Sequence, residues 1–406
     1  MGEGQDLGTR LLQPWHPISD STTVRCIIRD KPTGQRRREG QPTPADSHPA
    51  ALGRPGPDSR SPPLPQNTDS LPLHADRVLI SVNPTAGSRS AQPMVDRLVQ
   101  LLRQQGFQTE ILTELDAVAE RANRWHTEGR LRALVGVGGD GTAAELVNRV
   151  APGVPLTLLP AGNENLLARY LNLGRTPETV CQTIADGALV RLDAGKAGQR
   201  LFLLMISCGF DAEVVRRVHD RRPGHVRRRN YFKPIWDLIR SYEYPELRVY
   251  WGDGDAKTCE VRPEPAAVRW LFAFNLPCYG GGLRLAPQAD GTDGLLDVCA
   301  FRHGSPWHGL RYTAAVLLGR HQAMADCTTR RVPRLRVTSE GEVPYQLDGD
   351  PGGLLPVDVE VLPGRLALVV PATQAKRFRR RVAGVDGHRR EALVGEPPDP
   401  GLPGAG

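Results

Sequence analysis

Glycine turns that also carry a carboxylate are the stretches of this sequence best suited to chemistry. One reads Gly138-Gly139-Asp140-Gly141-Thr142, preceded by the apolar run 133–137 and followed by Leu146, Val147 and Val150 on one side of a helix. Strand, glycine turn and helix place a helix N-terminus at the carboxyl end of a strand, where free N–H groups and the helix dipole favour a phosphate. Missing Cβ atoms let phosphate oxygens approach the backbone. An acid in such an anion site is unfavourable by itself, so Asp140 implies a divalent cation bound with the phosphates. A turn of this kind also occurs without any ligand in α/β proteins. Gly136, Gly138 and Gly141 fit a dinucleotide fingerprint, but the next strand, 155–159, ends in Pro160-Ala161-Gly162 with no acid to hold a ribose. The absence of GKS or GKT excludes a Walker-type loop.

The elements that must position this turn alternate. A strand at 78–82 precedes a helix capped by Ser90, a strand at 107–112 precedes a helix from Asp116, and the strand 154–159 leads through Pro160-Ala161-Gly162-Asn163-Glu164-Asn165 into a helix at 166–171. This pattern predicts a doubly wound parallel sheet, which binds ligands at strand carboxyl ends. After about Leu189 the grammar changes. Strands at 189–195, 200–206, 247–251, 268–275, 296–301, 334–338 and 357–361, with turns between them, predict an antiparallel sandwich or barrel. Read locally, Asp348-Gly349-Asp350 is a hairpin turn and Asp290-Gly291-Thr292-Asp293-Gly294 a turn between strands.

The 406 residues accommodate two domains plus tails. Residues 1–75 and 372–406, rich in proline or glycine and poor in apolar periodicity, are expected to be disordered. A formal charge of +7 suits an anionic partner. Seven scattered cysteines without a CxxC pair argue for reduced thiols and against a zinc site. The N-terminus shows no signal-peptide pattern and no apolar run is long enough to span a bilayer, so any membrane contact is peripheral. The basic run 215–234, with Arg216, Arg217, Arg221, Arg222, Arg227, Arg228, Arg229 and Lys233 beside Tyr231 and Phe232, reads as a solvated helix face or as a surface for anionic head groups. No nucleic-acid module accompanies it.

Asn83-Pro84-Thr85-Ala86-Gly87, Gly138–Thr142 and Pro160–Asn165 stand in order, followed by Gly209-Phe210-Asp211-Ala212, Asp290–Gly294 and Asp348–Asp350. The ordered set resembles the diacylglycerol kinase catalytic-domain family, soluble bacterial lipid kinases related to the sphingosine and ceramide kinases, over residues 76–371. The resemblance implies an ATP site at Asn83, Pro84, Thr85, Ala86, Gly87, Thr113, Gly138, Gly139, Asp140, Gly141, Thr142 and Asn163. It also implies a magnesium site at Asp290, Asp293 and the Leu295 carbonyl, and an acidic network for the catalytic magnesium that includes Asp140 and Asp193. The general base falls on Asp350. Three positions depart from the family pattern: Asp350 replaces Glu, Asn163 replaces Thr, and Leu166 replaces an Asp.

The expected architecture is an α/β N-terminal domain (76–188) with the doubly wound parallel sheet of the NAD kinase and diacylglycerol kinase type, and a β-rich antiparallel sandwich (189–371) for lipid and metal. The expected activity is ATP- and Mg2+-dependent phosphorylation of a lipid hydroxyl, cytoplasmic and peripheral at an anionic inner membrane face, with no nucleic acid bound and a homodimer allowed. The competing readings are an NAD kinase-like small-molecule kinase and a non-catalytic nucleotide- or lipid-binding regulator.

Overall fold

A computed structural model of the chain describes residues 71–72, 74–82, 88–221, 241–253, 260–261 and 265–378. The turn from Asn83 to Gly87, the basic run from Arg222 onward and most of both tails lie outside the described residues.

The first part alternates strand and helix: β1 (Arg77–Val82), α1 (Ser88–Gln104), β2 (Gln108–Leu112), α2 (Leu115–Thr127), β3 (Leu131–Gly138), α3 (Asp140–Val147), β4 (Pro155–Pro160), α4 (Leu166–Tyr170) and α5 (Pro177–Asp186). β2, β1, β3 and β4 lie side by side and parallel, so all four end at one edge. Side chains along a strand alternate between faces. Leu79, Leu134, Leu156 and Leu158 pack with α2, α3 and α4. Val78, Ile80, Ala133, Val135 and Val137 pack with α1 and α5 on the other face. Each such aliphatic side chain contributes about 1.5–3 kcal/mol when buried, so cover on both faces holds the apolar β3 at the centre. α5 goes beyond the sequence expectation, although Thr176 caps it through Thr179 and Pro177 opens its first turn.

From β5 (Ala188–Ala197) onward strands dominate: β6 (Arg200–Phe202), β7 (Met205–Gly209), α6 (Phe210–Arg221), β8 (Leu247–Asp253), β9 (Glu260–Val261), β10 (Ala266–Val268), β11 (Trp270–Phe274), β12 (Leu296–Phe301), α7 (Pro306–Leu317), β13 (Cys327–Val332), β14 (Arg334–Thr338), β15 (Pro344–Leu347), β16 (Asp350–Leu354) and β17 (Val357–Val370). Six of them form an antiparallel sheet in the order β13-β12-β11-β7-β15-β16. Its Ile206, Leu271, Ala273 and Val298 pack against Val249, Trp251, Leu335, Val337 and Val359 of β8, β14 and β17, which makes the expected sandwich.

β17 ties the two parts together. Its first half pairs with β14 antiparallel, and its second half pairs with β4 parallel through Ala367 and Leu368. β5 runs beside both halves, with a register shift between Leu362 and Leu366. The boundary at 188/189 is therefore a change of strand direction within one continuous sheet, and the chain returns to the first domain at its end. The tail boundaries drawn from composition also cut into the fold. Leu71 and Ala75 are buried, and past β17 the helical residues 372–378 bury Ala375 and Phe378, whose ring meets Tyr170 edge-on at 5.9 Å. Among the described residues, no helix is long and apolar enough to cross a membrane.

Candidate active site

The β3 and β4 turns pack backbone against backbone. Ala161 N–H donates to the Gly138 carbonyl at 3.0 Å. A Cβ on Gly162 would lie 2.8 Å from Gly139 Cα, so no side chain fits between the turns. Asn165 closes the β4 turn from a left-handed conformation (φ 49°), its Oδ1 accepting from Gly162 N–H and its Nδ2 donating to Gly162 O. Sequence reading assigned Asn165 no separate role. Asp140 then locks the two turns: its carboxylate accepts from Leu166 N–H at 2.9 Å and Leu167 N–H at 2.8 Å, capping α4. Burial raises its carboxyl above the usual range while those two N–H groups oppose the rise. Gly141 is different from its neighbours. A Cβ there would meet no atom within 4 Å, so the protein's own packing does not demand glycine and the space lies open to a bound group.

The β15–β16 hairpin forms the second side. Asp348 (φ 53°) and Gly349 (φ 92°) make a two-residue turn of the kind an Asp-Gly pair favours. The Asp348 carboxylate accepts from Leu203, Leu204 and Met205 N–H at 2.6, 2.8 and 3.0 Å. Burial pushes it up to about 6 against those three donors, and the charge of Asp140 adds to the rise, which sets the hairpin turn beside the β3 turn. Cys278 stands among the same groups, its thiol pushed up to about 12 by burial and by the charges of Asp140 and Asp348. Asp350, at the start of β16, is half-exposed: Arg200 Nη2 stands 3.7 Å from its Oδ2, while Nη1 donates to Pro351 O. Burial raises its carboxyl, Arg200 and His219 lower it, and Glu145 of α3 raises it.

A polar cluster that sequence reading missed lies next to the hairpin. Asp211 accepts from Ser207 Oγ, from the Tyr279 hydroxyl and from Gln346 Nε2, and Gln346 Oε1 accepts from Gly349 N–H. The only sequence signal was Asp211 within Gly209-Phe210-Asp211-Ala212.

The loop from Asp290 to Asp297 is a separate acidic site. Leu295 N–H donates to Asp293 Oδ1 at 2.9 Å, and Arg331 contacts Asp293 Oδ2. Burial pushes the Asp293 carboxyl up to about 7, with Arg331 opposing and Asp290 and Asp297 adding. Asp297, unmarked by any motif, is buried; no well-formed hydrogen bond reaches its oxygens, and burial raises its carboxyl while Arg331 and the nearby Gln288 side chain lower it. Arg331 Nε stands 3.5 Å from one of them. Orphaned carboxylate oxygens suit a hard cation. Among the described residues, however, no three His, Cys, Asp or Glu side chains converge as a ready cation cage. Asp193 spends both oxygens on Gly294 and Gly364 N–H at 2.7 Å each, pinning this loop to the bend of β17. Its carboxyl, pushed up to about 6 by burial, belongs to this loop.

Of the remaining sequence candidates, Thr113 lies exposed just past β2 and Asn163 exposed at the tip of the β4 turn, both on the edge that carries Gly138–Thr142. Asn83, Pro84, Thr85, Ala86 and Gly87 lie outside the described residues. Within the basic run, Arg216 and Arg217 are answered by Glu213 at 2.7 and 2.8 Å, and Arg216 also by Asp220. Those two arginines therefore share part of their charge with carboxylates of their own helix.

Residues 77–197 match the diacylglycerol kinase catalytic domain, and residues 204–370 match the YegS C-terminal NAD kinase beta sandwich-like domain. A diacylglycerol kinase of Mycobacterium tuberculosis is 30% identical over 247 residues, 59% of this chain and 77% of the relative. The diacylglycerol kinase of Bacillus subtilis is 25% identical over 310 residues, 74% of this chain and 99% of the relative. The crystal structure of a diacylglycerol kinase from Bacillus anthracis superposes with a TM-score of 0.55 at 20% identity, covering 73% of this chain and 98% of that one.

Proposed function

Because the chain belongs to the diacylglycerol kinase family, we propose that it moves the γ-phosphoryl group of ATP to a lipid hydroxyl, with Mg2+, at the cytosolic face of a membrane. The observation that carries this reading is the meeting of the paired glycine turns of β3 and β4 with the Asp348–Asp350 hairpin. In this reading the N–H groups of the Gly138–Thr142 turn hold phosphate oxygens, with Gly141 leaving room for them. Asn83–Gly87, Thr113 and Asn163 supply the other nucleotide contacts. Asp140 positions the two turns through Leu166 and Leu167. Asp350 takes the proton of the lipid hydroxyl: partial burial keeps it basic and Arg200 keeps it oriented. Asp290, Asp293 and the Leu295 carbonyl would hold a magnesium ion that supports the β-rich domain, and magnesium on the phosphates would offset their charge.

Radiolabelled ATP incubated with the chain and a panel of vesicles tests the proposal. The panel holds diacylglycerol, phosphatidylglycerol, ceramide, a sphingoid base and an isoprenoid alcohol, and a labelled lipid product is the expected result. ATP binding with no labelled lipid from any member would replace the kinase reading with that of a regulator.

A further inference from the structure

The helix α7 satisfies its own fold on one face only. Ser305 caps it by accepting from His308 N–H, and Pro306 occupies its first turn. On the inner face Tyr312 and Val316 are buried, with the Tyr312 ring stacked on Phe301 at 4.3 Å between centroids. On the outer face Trp307 is 80% exposed, Leu310 63%, Leu317 69% and Leu318 72%. With exposed Ala314 between them, these positions recur at three- and four-residue steps and form one helical stripe. Of the large apolar side chains exposed among the described residues, only Ile111 and Leu354 lie elsewhere. Single exposed apolar side chains are ordinary, but a contiguous stripe implies a partner.

Charge identifies the partner. Arg302 and Arg320 are exposed at the two ends of the stripe, and Arg311 stands next to Leu310. Asp326 holds Arg311 at 2.7 Å while also accepting from the Tyr312 hydroxyl, so this guanidinium is fixed at the rim. We propose that the outer face of α7 docks the protein on an anionic bilayer, with Trp307, Leu310, Leu317 and Leu318 entering the interface and Arg302 and Arg320 meeting head-group phosphates. A tryptophan at the edge of an apolar helical face with arginines beside it matches the demands of a bilayer surface. A second copy docked on the same face would set cationic rim against cationic rim. The proposal deepens the lipid-kinase reading and rests on it for its biological purpose, but docking is measured without turnover.

The test uses the full chain and vesicles of phosphatidylcholine with or without phosphatidylglycerol. The triple variant Leu310→Gln, Leu317→Gln, Leu318→Gln should lose roughly a hundredfold or more in vesicle affinity and keep its melting temperature, because these side chains support no core. Its turnover on a soluble short-chain lipid should stay, while turnover on vesicles falls. Arg302→Gln and Arg320→Gln should each cost about fivefold on the anionic vesicles and nothing on the neutral ones. Quenching of tryptophan emission by brominated lipid should drop in Trp307→Phe. Unchanged vesicle affinity in the triple variant would overturn the proposal. So would a dimer in light scattering that the triple variant abolishes, since the face would then belong to a second copy. Vesicle docking lost in the variant, in a chain that phosphorylates no lipid, would overturn the kinase reading and leave the docking surface standing.

Discussion

Around the β3 and β4 turns, buried carboxylates are answered by backbone: two N–H groups reach Asp140 and three reach Asp348. In the loop 290–297, Asp293 and Asp297 share the guanidinium of Arg331, and no backbone N–H group answers Asp297. A carboxylate fixed by oriented N–H dipoles is largely compensated without a counter-ion, because hydrogen bonds to a charged group contribute about 1.5–3 kcal/mol each. Carboxylates crowded with few donors lean on a cation, here Arg331, since an unanswered buried charge is costly. The first arrangement ties the glycine turns and the hairpin rigidly to their neighbours. The second is braced by the shared guanidinium of Arg331.

Asp350 is the hairpin carboxylate left out of the backbone scheme, and it carries the largest expected effect. Asp350→Asn should lower kcat by roughly 10²–10⁴ with KM for ATP nearly unchanged, while Asp350→Glu stays active. Initial rates with circular dichroism to confirm folding would check this. A fully active Asn variant would remove Asp350 from the mechanism.

Next in size is the brace. Arg331→Gln leaves Asp293 and Asp297 without their shared cation and should destabilise the chain by about 2–3 kcal/mol in chelator. Millimolar magnesium should restore part of that loss. Thermal melts of wild type and variant with EDTA and with magnesium give the comparison directly. A variant whose loss is the same in both would show that the loop recruits no ion.

These two regions also differ in how far the sequence disclosed them. The strands of the parallel sheet, the Gly138–Thr142 turn and the Asp348-Gly349 hairpin were legible because local patterning and turn chemistry determine them. The return of β17 to β4 was not, because a strand's choice of partner is non-local and leaves no mark near 357–370. Asp297 and Arg331 meet across β12 and β13 with no spacing motif. Asp140 was legible as an acid in an anion turn, whereas its task as the cap of α4 depended on where 166–167 fold back. α5 carried its signal in Thr176-Pro177, which local reading could have taken.

The contrast in acids predicts a smaller, paired effect. Asp140→Asn puts an amide N–H group against the donors at Leu166 and Leu167 and should cost about 1–3 kcal/mol of stability along with turnover. Asp297→Asn gives up its attraction to Arg331 but also the cost of burying a charge, so it should be close to neutral. Urea melts of both variants in chelator would break the comparison if their order were reversed.

The smallest effect is a slope. Asp348 titrates near 3.8 when unfolded and at about 6 in the fold, because burial outweighs its three N–H donors. The folded chain therefore holds this proton more tightly, and the associated stability is present below pH 4 and lost as pH rises through about 6. Asp193, also raised to about 6, adds to the same fall. A single carboxyl accounts for at most about 1.4 kcal/mol per pH unit, and less where neighbouring acids titrate together. Asp348→Asn should lower stability at every pH by removing an acceptor, but it should also flatten the decline between pH 4 and 6. The slope, rather than the offset, is the discriminating quantity, since lost hydrogen bonds shift the whole curve and only a lost titration changes its gradient. Parallel curves for wild type and variant would mean that the backbone donors hold Asp348 ionised throughout, and the hairpin and glycine turns would then be still further from the acidic loop in character.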